Sequence, residues 1–400
     1  MSEWASEVLG SLCDFCAGSA FPKSAQGLST GDYPFIKVSD MNSGGNERCI
    51  TESNNWVSES ERRRIKAKLH PAGAVAFAKI GVALTFNRRR ILGRPTIIDN
   101  NMMSAVPRES AVDRAFFYYL LRTVDFNTIA AGTALPYLNV SDLRQMPVQI
   151  PPLPTQRRIA HILGTLDDKI ELNRRMNRTL EKMAAAIFKS WFIDFDPVHA
   201  KADGRDTGLP AEIADLFPAA FEDSDLGPIP KGWTMDALGE HALNFDSKRV
   251  PVSGAERAQR RGPYPYHGAA AVMDYVDDYL FDGIFLLVGE DGSVVRTNGI
   301  AVTQYVWGKI WVNNHAHVLQ GKGAVSTEQL YLHFSFEPVA PYVTGAVQPK
   351  LSQGRMNQMP FMYPGEDICG ARQPAASATL AAGWRGWVSS VCGLRHRMAC

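Results

Sequence analysis

The chain has 400 residues, of which 45% are hydrophobic and 21% are charged, and its formal net charge is +1. This composition is typical of a globular protein with two or three domains, and it excludes wholesale disorder. The near-neutral balance excludes a basic field over the whole surface. Six cysteines are too few for a disulfide scaffold, and the longest apolar stretch, residues 72–86, is interrupted by Lys79. We therefore expect a cytoplasmic protein without a signal peptide or a membrane span.

Charges are segregated along the chain. Residues 61–94 hold ten basic residues and one acid, and residues 248–261 hold five basic residues and one acid. Between them, residues 194–225 hold nine acids and two basic residues. A solvated face explains a single basic run, but recurrence in two places favours contact with DNA phosphates. Charge and loop placement give the following DNA-binding candidates: Lys79, Arg88, Arg89, Arg90, Arg94, Lys248, Arg249, Arg260 and Arg261.

The two halves of the chain predict the same mixture of short strands and a helix. In the first half, short apolar or alternating runs bounded by Gly and Pro predict strands at residues 33–38 and 73–77. An aromatic stretch at residues 115–124 then predicts a helix. In the second half, residues 283–288 predict a strand and residues 327–336 a helix. Each half is therefore expected to be a mixed α/β domain.

Self-similarity indicates that the two halves are copies of one unit. Several residues recur at a constant offset of 213, and the opening Trp and Leu-Gly of the chain also recur. The recurring residues are Trp4 as Trp233, Gly10 as Gly239, Asn100 as Asn313, Asn101 as Asn314, Tyr118 as Tyr331, Gly132 as Gly345, and Gln145, Met146 and Pro147 as Gln358, Met359 and Pro360. A unit of about two hundred residues is too long for a solenoid repeat. The pattern therefore indicates a tandem duplication.

A long helix is predicted between the copies. After four residues rich in proline, residues 155–192 contain no proline and follow helical spacing. Alternate steps of four and three residues give a heptad seam suited to a coiled coil or to partner docking. Its members are Ile159, Leu163, Leu166, Ile170, Asn173, Asn177, Leu180, Ala184, Ile187 and Trp191. The two central Asn residues are typical of seams that fix register and partner. A helix of this length, about 50 Å, suits a spacer.

Residues that would carry catalysis or bind a metal are not found in a convincing pattern. Cys13 and Cys16 lack a second pair at zinc spacing. Asp167 and Asp168 precede Lys169 as in some nucleases, but on the predicted helix they read as solvated charges. His315 and His317 alternate on an expected strand and favour a packed or surface pair. We expect a binding protein with no cofactor, no metal and no catalytic residue.

The central segment carries a resemblance to a known family. Residues 151–160, which include Gln156, and the continuation through residues 166–170, 173–177 and 187–195 resemble the conserved region of type I restriction-modification specificity subunits. The resemblance implies two target recognition domains that each read half of a split DNA site, held apart by helices that dock methyltransferase subunits. It also implies a restriction subunit bound through the methyltransferase. Recognition domains of this family diverge freely, so no contact residue is carried over.

These observations predict an α+β protein with two tandem mixed α/β target recognition domains and a long coiled-coil-forming helix between them. The expected boundaries are 1–150 for the first recognition domain, 151–193 for the spacer helix, 194–227 for an acidic linker around a short helix near residues 211–217, 228–364 for the second recognition domain and 365–400 for an aberrant, disordered tail.

The end of the chain departs from the family pattern. At the offset of 213, Gln156 would correspond to Cys369, and no second copy of the long helix follows. The abrupt loss of repeat correspondence predicts a truncation or frameshift just after Pro364. Two further hypotheses therefore stay open. One is a truncated protein, non-functional or active only through its helix, with homodimer formation; the other is a single-chain nuclease.

Overall fold

The structure is a computed structural model that describes residues 4–132, 135–224, 227–345 and 347–369. The chain divides into two units between Glu171 and Leu172, named unit 1 and unit 2. The disorder expected for residues 370–400 lies outside the described residues. Within the described ranges, no helix is both long and apolar enough to cross a bilayer.

Unit 1 is built from short strands and short helices. Its strands are β1 (Ala5–Val8), β2 (Cys13–Ala17), β3 (Tyr33–Ile36), β4 (Cys49–Ile50), β5 (Trp56–Val57), β6 (Val75–Ala78), β7 (Arg90–Leu92), β8 (Ile97–Ile98), β9 (Met102–Pro107) and β10 (Pro147–Ile150). Its helices are α1 (Leu9–Leu12), α2 (Glu59–Arg64), α3 (Val82–Thr85), α4 (Arg114–Thr123) and α5 (Val140–Gln145).

The core of unit 1 lies between a sheet of order β2-β9-β6-β7-β4 and helix α4. Asp113 begins α4, because its carboxylate accepts hydrogen bonds from the backbone amides of Ala115 and Phe116. The aromatic run that follows, from Phe116 to Tyr119, is buried. A second sheet has the order β5-β3-β8, and β1 pairs with β10.

Helix α6 (Leu153–Phe192) continues from unit 1 into unit 2. Pro154 lies in its first turn, where a missing backbone N–H costs nothing, and no proline follows until the helix ends. The predicted long helix is therefore confirmed, and it begins two residues earlier than expected.

Unit 2 repeats this mixture. Its helices are α7 (Asp196–Ala202), α8 (Ala211–Ala214), α9 (Leu238–His241), α10 (Gly254–Gln259), α11 (Thr327–Phe336), α12 (Gln353–Asn357) and α13 (Glu366–Cys369). Its strands are β11 (Phe221–Ser224), β12 (Gly227–Pro230), β13 (Thr234–Ala237), β14 (Ala242–Asn244), β15 (Arg261–His267), β16 (Val272–Val276), β17 (Phe281–Gly289), β18 (Thr303–Val312), β19 (Ala316–Gly321) and β20 (Pro360–Tyr363).

The main sheet of unit 2 has the order β14-β19-β17-β18-β15-β16, and α11 packs on it. A capping box between Ser326 and Gln329 begins α11 at the residue that the sequence predicts. The mixed α/β class expected for both copies is confirmed.

The two units share details that follow from the duplication. Strand β1 pairs with β10 from Ala5 opposite Ile150 to Val8 opposite Pro147. Strand β13 pairs with β20 in the same antiparallel manner, and Pro360 again stands at the end of the ladder. Strands β1 and β13 are each followed by a short helix, α1 or α9, that begins with a buried Leu.

Within the predicted acidic linker, residues 194–227, the short helix expected near residues 211–217 is present as α8, and the described residues hold further structure. The linker contains α7, α8 and β11, and Val198 and Phe217 are buried against Trp233. Its acids are interspersed with apolar residues. The burial of those apolar residues stabilises the segment by more than its charged residues gain from contact with water. The predicted tail also begins as structure, since α13 forms and Cys369 is buried.

Two buried histidines make stability depend on pH. Burial, assisted by Lys68, lowers the pKa of His70 from 6.5 to about 4, and burial lowers that of His333 to about 4. The unfolded chain therefore binds more protons than the folded chain between pH 6.5 and 4, and stability falls as the pH falls through this window. At the low end each group would cost about 3 kcal/mol.

We expect the urea midpoint to drop as the pH falls from 7 to 4.5. Replacing both groups, as His70→Asn and His333→Gln, should flatten the profile while leaving the protein folded at pH 7. Equal pH profiles for the double variant and the original chain would contradict this assignment.

Candidate nucleic-acid interface

The arginines of α2 are neutralised locally. Arg62 and Arg63 pair with Glu59 at 2.6 and 2.7 Å, and Arg64 pairs with Glu61 at 2.7 Å. These hydrogen bonds hold the pKa of Glu59 at about 2. A cation already paired with a carboxylate displaces few counterions when a phosphate approaches. The arginines of this dense basic run are therefore less available for phosphate binding than unpaired cations are.

Arg89, a predicted DNA contact, is a core residue with 3% exposure. Its guanidinium lies 3.6 Å from the ring centroid of Phe126 and donates hydrogen bonds to Val124 O at 3.1 Å and Asn87 Oδ1 at 3.0 Å. Burial lowers its pKa to about 9. Arg89 is therefore withdrawn as a DNA contact, because its charge is used inside unit 1 to join β7 to the end of α4.

Arg90 is partly committed to the fold. Its Nε and Nη2 donate to the carbonyl oxygen of Met41, at 3.2 and 3.1 Å. Burial lowers its pKa, and the like charges of Arg88 and Arg122 act in the same direction. Residues distant in the sequence thus form one basic cluster, defined by Arg88, Arg90 and Arg122.

Of the predicted candidates in unit 1, Lys79, Arg88 and Arg94 have no ion pair to any described residue, and Arg122 is in the same state. Three of them lie over aromatic rings, Arg88 over Phe86 at 4.6 Å, Arg94 over Trp56 at 5.2 Å and Arg122 over Tyr118 at 5.8 Å. Arg122 is outside the predicted set, since only the fold brings the end of α4 beside β7. Aromatic support orients these guanidinium groups without neutralising them.

The predicted cations of unit 2 are mostly paired. Arg249 is half-buried and donates to Glu290 at 2.7 Å and to the carbonyl oxygen of Ala316 at 2.6 Å. Arg260 pairs with Asp277 at 3.0 Å. Arg249 is withdrawn as a DNA contact, and Arg260 is weakened as one, because long-range carboxylates that the sequence run does not show already hold them.

Lys248 and Arg261 remain exposed in unit 2. Arg261 lies 3.9 Å from Asp274, which is a weak pair for a side chain that is 73% exposed. A further exposed cation, Arg296, lies outside the predicted set on a tight turn, in which the Arg296 amide donates to Ile300 O and the Gly299 amide donates to Arg296 O. Lys309 lies 4.5 Å from the ring of Tyr279.

One group of potential metal ligands exists in the described part of the chain: Asp246, Glu290 and His317. His317 is fully buried, with Nδ1 at 2.5 Å from Asp246 Oδ2 and Nε2 at 2.7 Å from the carbonyl oxygen of Leu351. Arg249 pairs with both carboxylates. The group is thus satisfied by protein cations and joins the end of β14 to β19. His315, expected to share a face with His317, precedes the strand and is exposed.

The start of α6 is fixed to unit 1 by polar contacts of the family-like segment. Buried Gln156 accepts a hydrogen bond from the Asp113 amide at 2.9 Å and donates one to Pro151 O at 2.8 Å. Tyr119 donates to Asp167 Oδ2 at 2.9 Å, and Arg48 donates to Asp168 Oδ1 at 2.5 Å. Burial and the Asp167 contact raise the pKa of Tyr119. The two acids therefore anchor the helix to its domain.

Comparison with known proteins gives a family match for the first part of the chain. Residues 1–182 match the family described as "Type I restriction modification DNA specificity domain". These residues are therefore similar to the type I restriction-modification specificity family. The resemblance predicted from the central motif is thereby confirmed.

Relatives of this family align with parts of the chain. The type I restriction enzyme HindI specificity subunit of Haemophilus influenzae is 39% identical over 174 residues, which is 40% of this chain and 37% of the relative. The MjaIX specificity subunit of Methanocaldococcus jannaschii is 25% identical over 257 residues, 62% of this chain and 56% of the relative. The chain thus spans between about a third and just over half of these relatives' lengths.

The fold has a solved counterpart in the family. The crystal structure of a type I restriction-modification S subunit from M. genitalium superposes with a TM-score of 0.52 at 14% identity, covering 100% of this chain and 94% of that one. At this identity the likeness establishes the fold alone, with two sheet-rich units and a long helix.

The contrast between Arg88 and Arg89 gives a direct test of the site. Arg89→Met should lower the free energy of unfolding by about 2 kcal/mol, since Val124 O and Asn87 Oδ1 would have no donor. Arg88→Met should leave it unchanged within about 0.5 kcal/mol, as for other surface substitutions. Urea denaturation of both variants measures this. Equal destabilisation by the two substitutions would contradict the burial of Arg89 as the reason for its withdrawal.

Proposed function

We propose that the chain is the DNA-sequence-reading subunit of a type I restriction-modification enzyme, a non-catalytic protein. The family match over residues 1–182 carries the proposal. Two supporting features are the duplicated units and the exposed cations on each of them. Recognition domains at residues 1–150 and 228–364 would each read one half of a split site, with α6 as the spacer between them.

The DNA face of unit 1 is proposed to centre on Lys79, Arg88, Arg94 and Arg122. Guanidinium and ammonium groups free of carboxylates bind phosphates, and arginines also read guanine edges. In unit 2 the proposed contacts are Lys248, Arg261 and Arg296, with Arg260 at their margin. The polar anchors Gln156 and Asp167 would hold the spacer at a fixed angle to the first recognition domain.

Methyltransferase subunits, and through them the restriction subunit, are the proposed protein partners. Exposed apolar residues on α6 support partner docking: Ile162, Leu166, Leu172, Met176 and Met183. Leu166 belongs to the predicted seam, and the other four lie beside it. Of the seam, Asn177 and Ala184 are buried, and Ile159 packs in the core of unit 1. Homodimer formation through the same helix is the alternative that this stripe supports.

Selection from random DNA tests the function. The chain, mixed with its methyltransferase partner and a random duplex pool, should retain sequences with two short conserved blocks at a fixed spacing. Retention of DNA without any shared block would contradict sequence reading, whatever the affinity.

Removing the free cations should change the salt dependence of DNA binding. The triple variant Lys79→Ala, Arg88→Ala and Arg94→Ala is expected to flatten the slope of log K against log salt by about 0.9 for each phosphate that the variant no longer neutralises. Binding to all sequences should weaken together. The matched control is Arg63→Ala, which removes a cation already paired with Glu59 and should change the slope little. Equal changes for the free and the paired cations would contradict the proposed face.

The two seam asparagines should set partner choice. Asn177 is buried and its Oδ1 has no hydrogen-bond partner within the described ranges. Changing Asn173 and Asn177 to Leu should raise the melting temperature and broaden the distribution of assembly states in sedimentation. Thr179→Leu, at an exposed position of α6, is the control. A single unaltered assembly state would overturn the role of the pair.

A further inference from the structure

An apolar cleft with corresponding lining residues is present in both units. In each, the last strand (β10 or β20) and the central helix (α4 or α11) line this cleft. At the offset of 213 the wall positions correspond as follows: Phe116 with Gln329, Leu120 with His333, Thr123 with Phe336, Val124 with Glu337, Pro147 with Pro360, Val148 with Phe361, and Gln149 with Met362. The cleft is therefore a feature of the repeated unit.

In unit 2 the cleft is filled by the aromatic end of α6. Phe188 stacks on Phe336 with ring centroids 5.9 Å apart and planes 14° apart. Phe192 lies 5.8 Å from Trp233, and Trp191 lies 5.3 Å from Phe217. Trp233, beside Phe192, is 3% exposed. The space left in the cleft, which Phe188 and Phe192 line, is about 300 Å³.

In unit 1 the equivalent cleft is open. Trp4, the counterpart of Trp233, is 52% exposed, and the free volume is about 920 Å³. Leu163, Leu166 and Ile170 of α6 line the far side. A cleft of this size is in the range of sites that bury drug-sized groups, about 300–1,000 Å³.

The wall in unit 1 is more apolar than its counterpart at some positions and more polar at others. Leu120 and Val124 stand where unit 2 has His333 and Glu337. Thr123 stands where unit 2 has Phe336. Leaving large apolar side chains in water costs about 1.5 to 3 kcal/mol each relative to burial. Occupation by apolar side chains is therefore favourable, and the copy in unit 2 shows which ones this wall accepts.

We propose that the cleft of unit 1, with Trp4 at its mouth, binds the aromatic end of an amphipathic helix carried by a partner polypeptide. The occupant presents aromatic residues at helical spacing, like Phe188, Trp191 and Phe192 in unit 2. A second copy of this chain is a poorer occupant, because the end of its own α6 is already packed against its Trp233. This proposal concerns a protein contact and does not rest on DNA reading.

A peptide of residues 176–196 is the probe, labelled with fluorescein and titrated with the full chain in an anisotropy measurement. We expect saturable binding that weakens about tenfold in Trp4→Ala and is largely restored in Trp4→Phe, because the apolar ring rather than the indole N–H fills the contact. Thr123→Phe, which copies Phe336, should strengthen binding about threefold.

Two controls separate this cleft from other apolar surfaces. Tyr275→Ala removes an exposed aromatic residue of unit 2 outside the cleft and should leave the affinity unchanged. A peptide with Phe188, Trp191 and Phe192 replaced by Ala should not bind. Equal affinity of Trp4→Ala and the original chain, or no saturation by the original chain, would overturn the proposal. So would a dimer in sedimentation that Trp4→Ala dissolves, since the occupant would then be a second copy.

Discussion

The burial of apolar residues on a 40-residue helix is the constraint on which the rest of the structure depends. A helix of this length, α6, has apolar residues on several sides, and no single domain covers it. Its first turns pack on unit 1 through Ile159 and Ala160, and its last turns pack in unit 2 through Phe188 and Phe192. Each unit therefore owes part of its core to the helix, and between these ends Leu172, Met176 and Met183 are exposed.

Polar contacts convert this packing into a defined geometry. Apolar contacts tolerate rotation and sliding, whereas hydrogen bonds do not. Gln156 and Asp167 bind the start and the middle of α4, and Asp168 binds Arg48 before β4. Three such contacts over about three turns fix both the direction and the rotation of the helix at its start. The acids that resemble a nuclease motif thus have a positioning role.

Periodic and local features were predictable from the sequence, and long-range pairings were not. The bounds of α11 match the prediction at both ends, and α6 differs only by its first two residues, because helical spacing and capping residues are local signals. The basic candidates rested on charge counts. Whether a cation is free depends on carboxylates elsewhere, as Glu290 for Arg249, or on burial, as for Arg89. In the acidic linker the short helix was predictable, whereas the packing of Val198 and Phe217 on Trp233 was not, because it joins residues that are distant in the sequence.

The duplication also separates what the fold requires from what each copy does. The paired strands, the buried Leu after them and the cleft wall recur, so the architecture needs them. The charges do not recur in the same state. Unit 1 pairs Arg62, Arg63 and Arg64 with acids of the same short helix, whereas unit 2 pairs Arg249 and Arg260 with acids that are distant in the sequence. Each unit also keeps exposed cations that have no ion pair to a described residue, such as Arg94 and Lys248. On the proposed function both units would therefore release counterions. In unit 2 the Tyr264 and Tyr279 rings around Lys309 would add uncharged contacts.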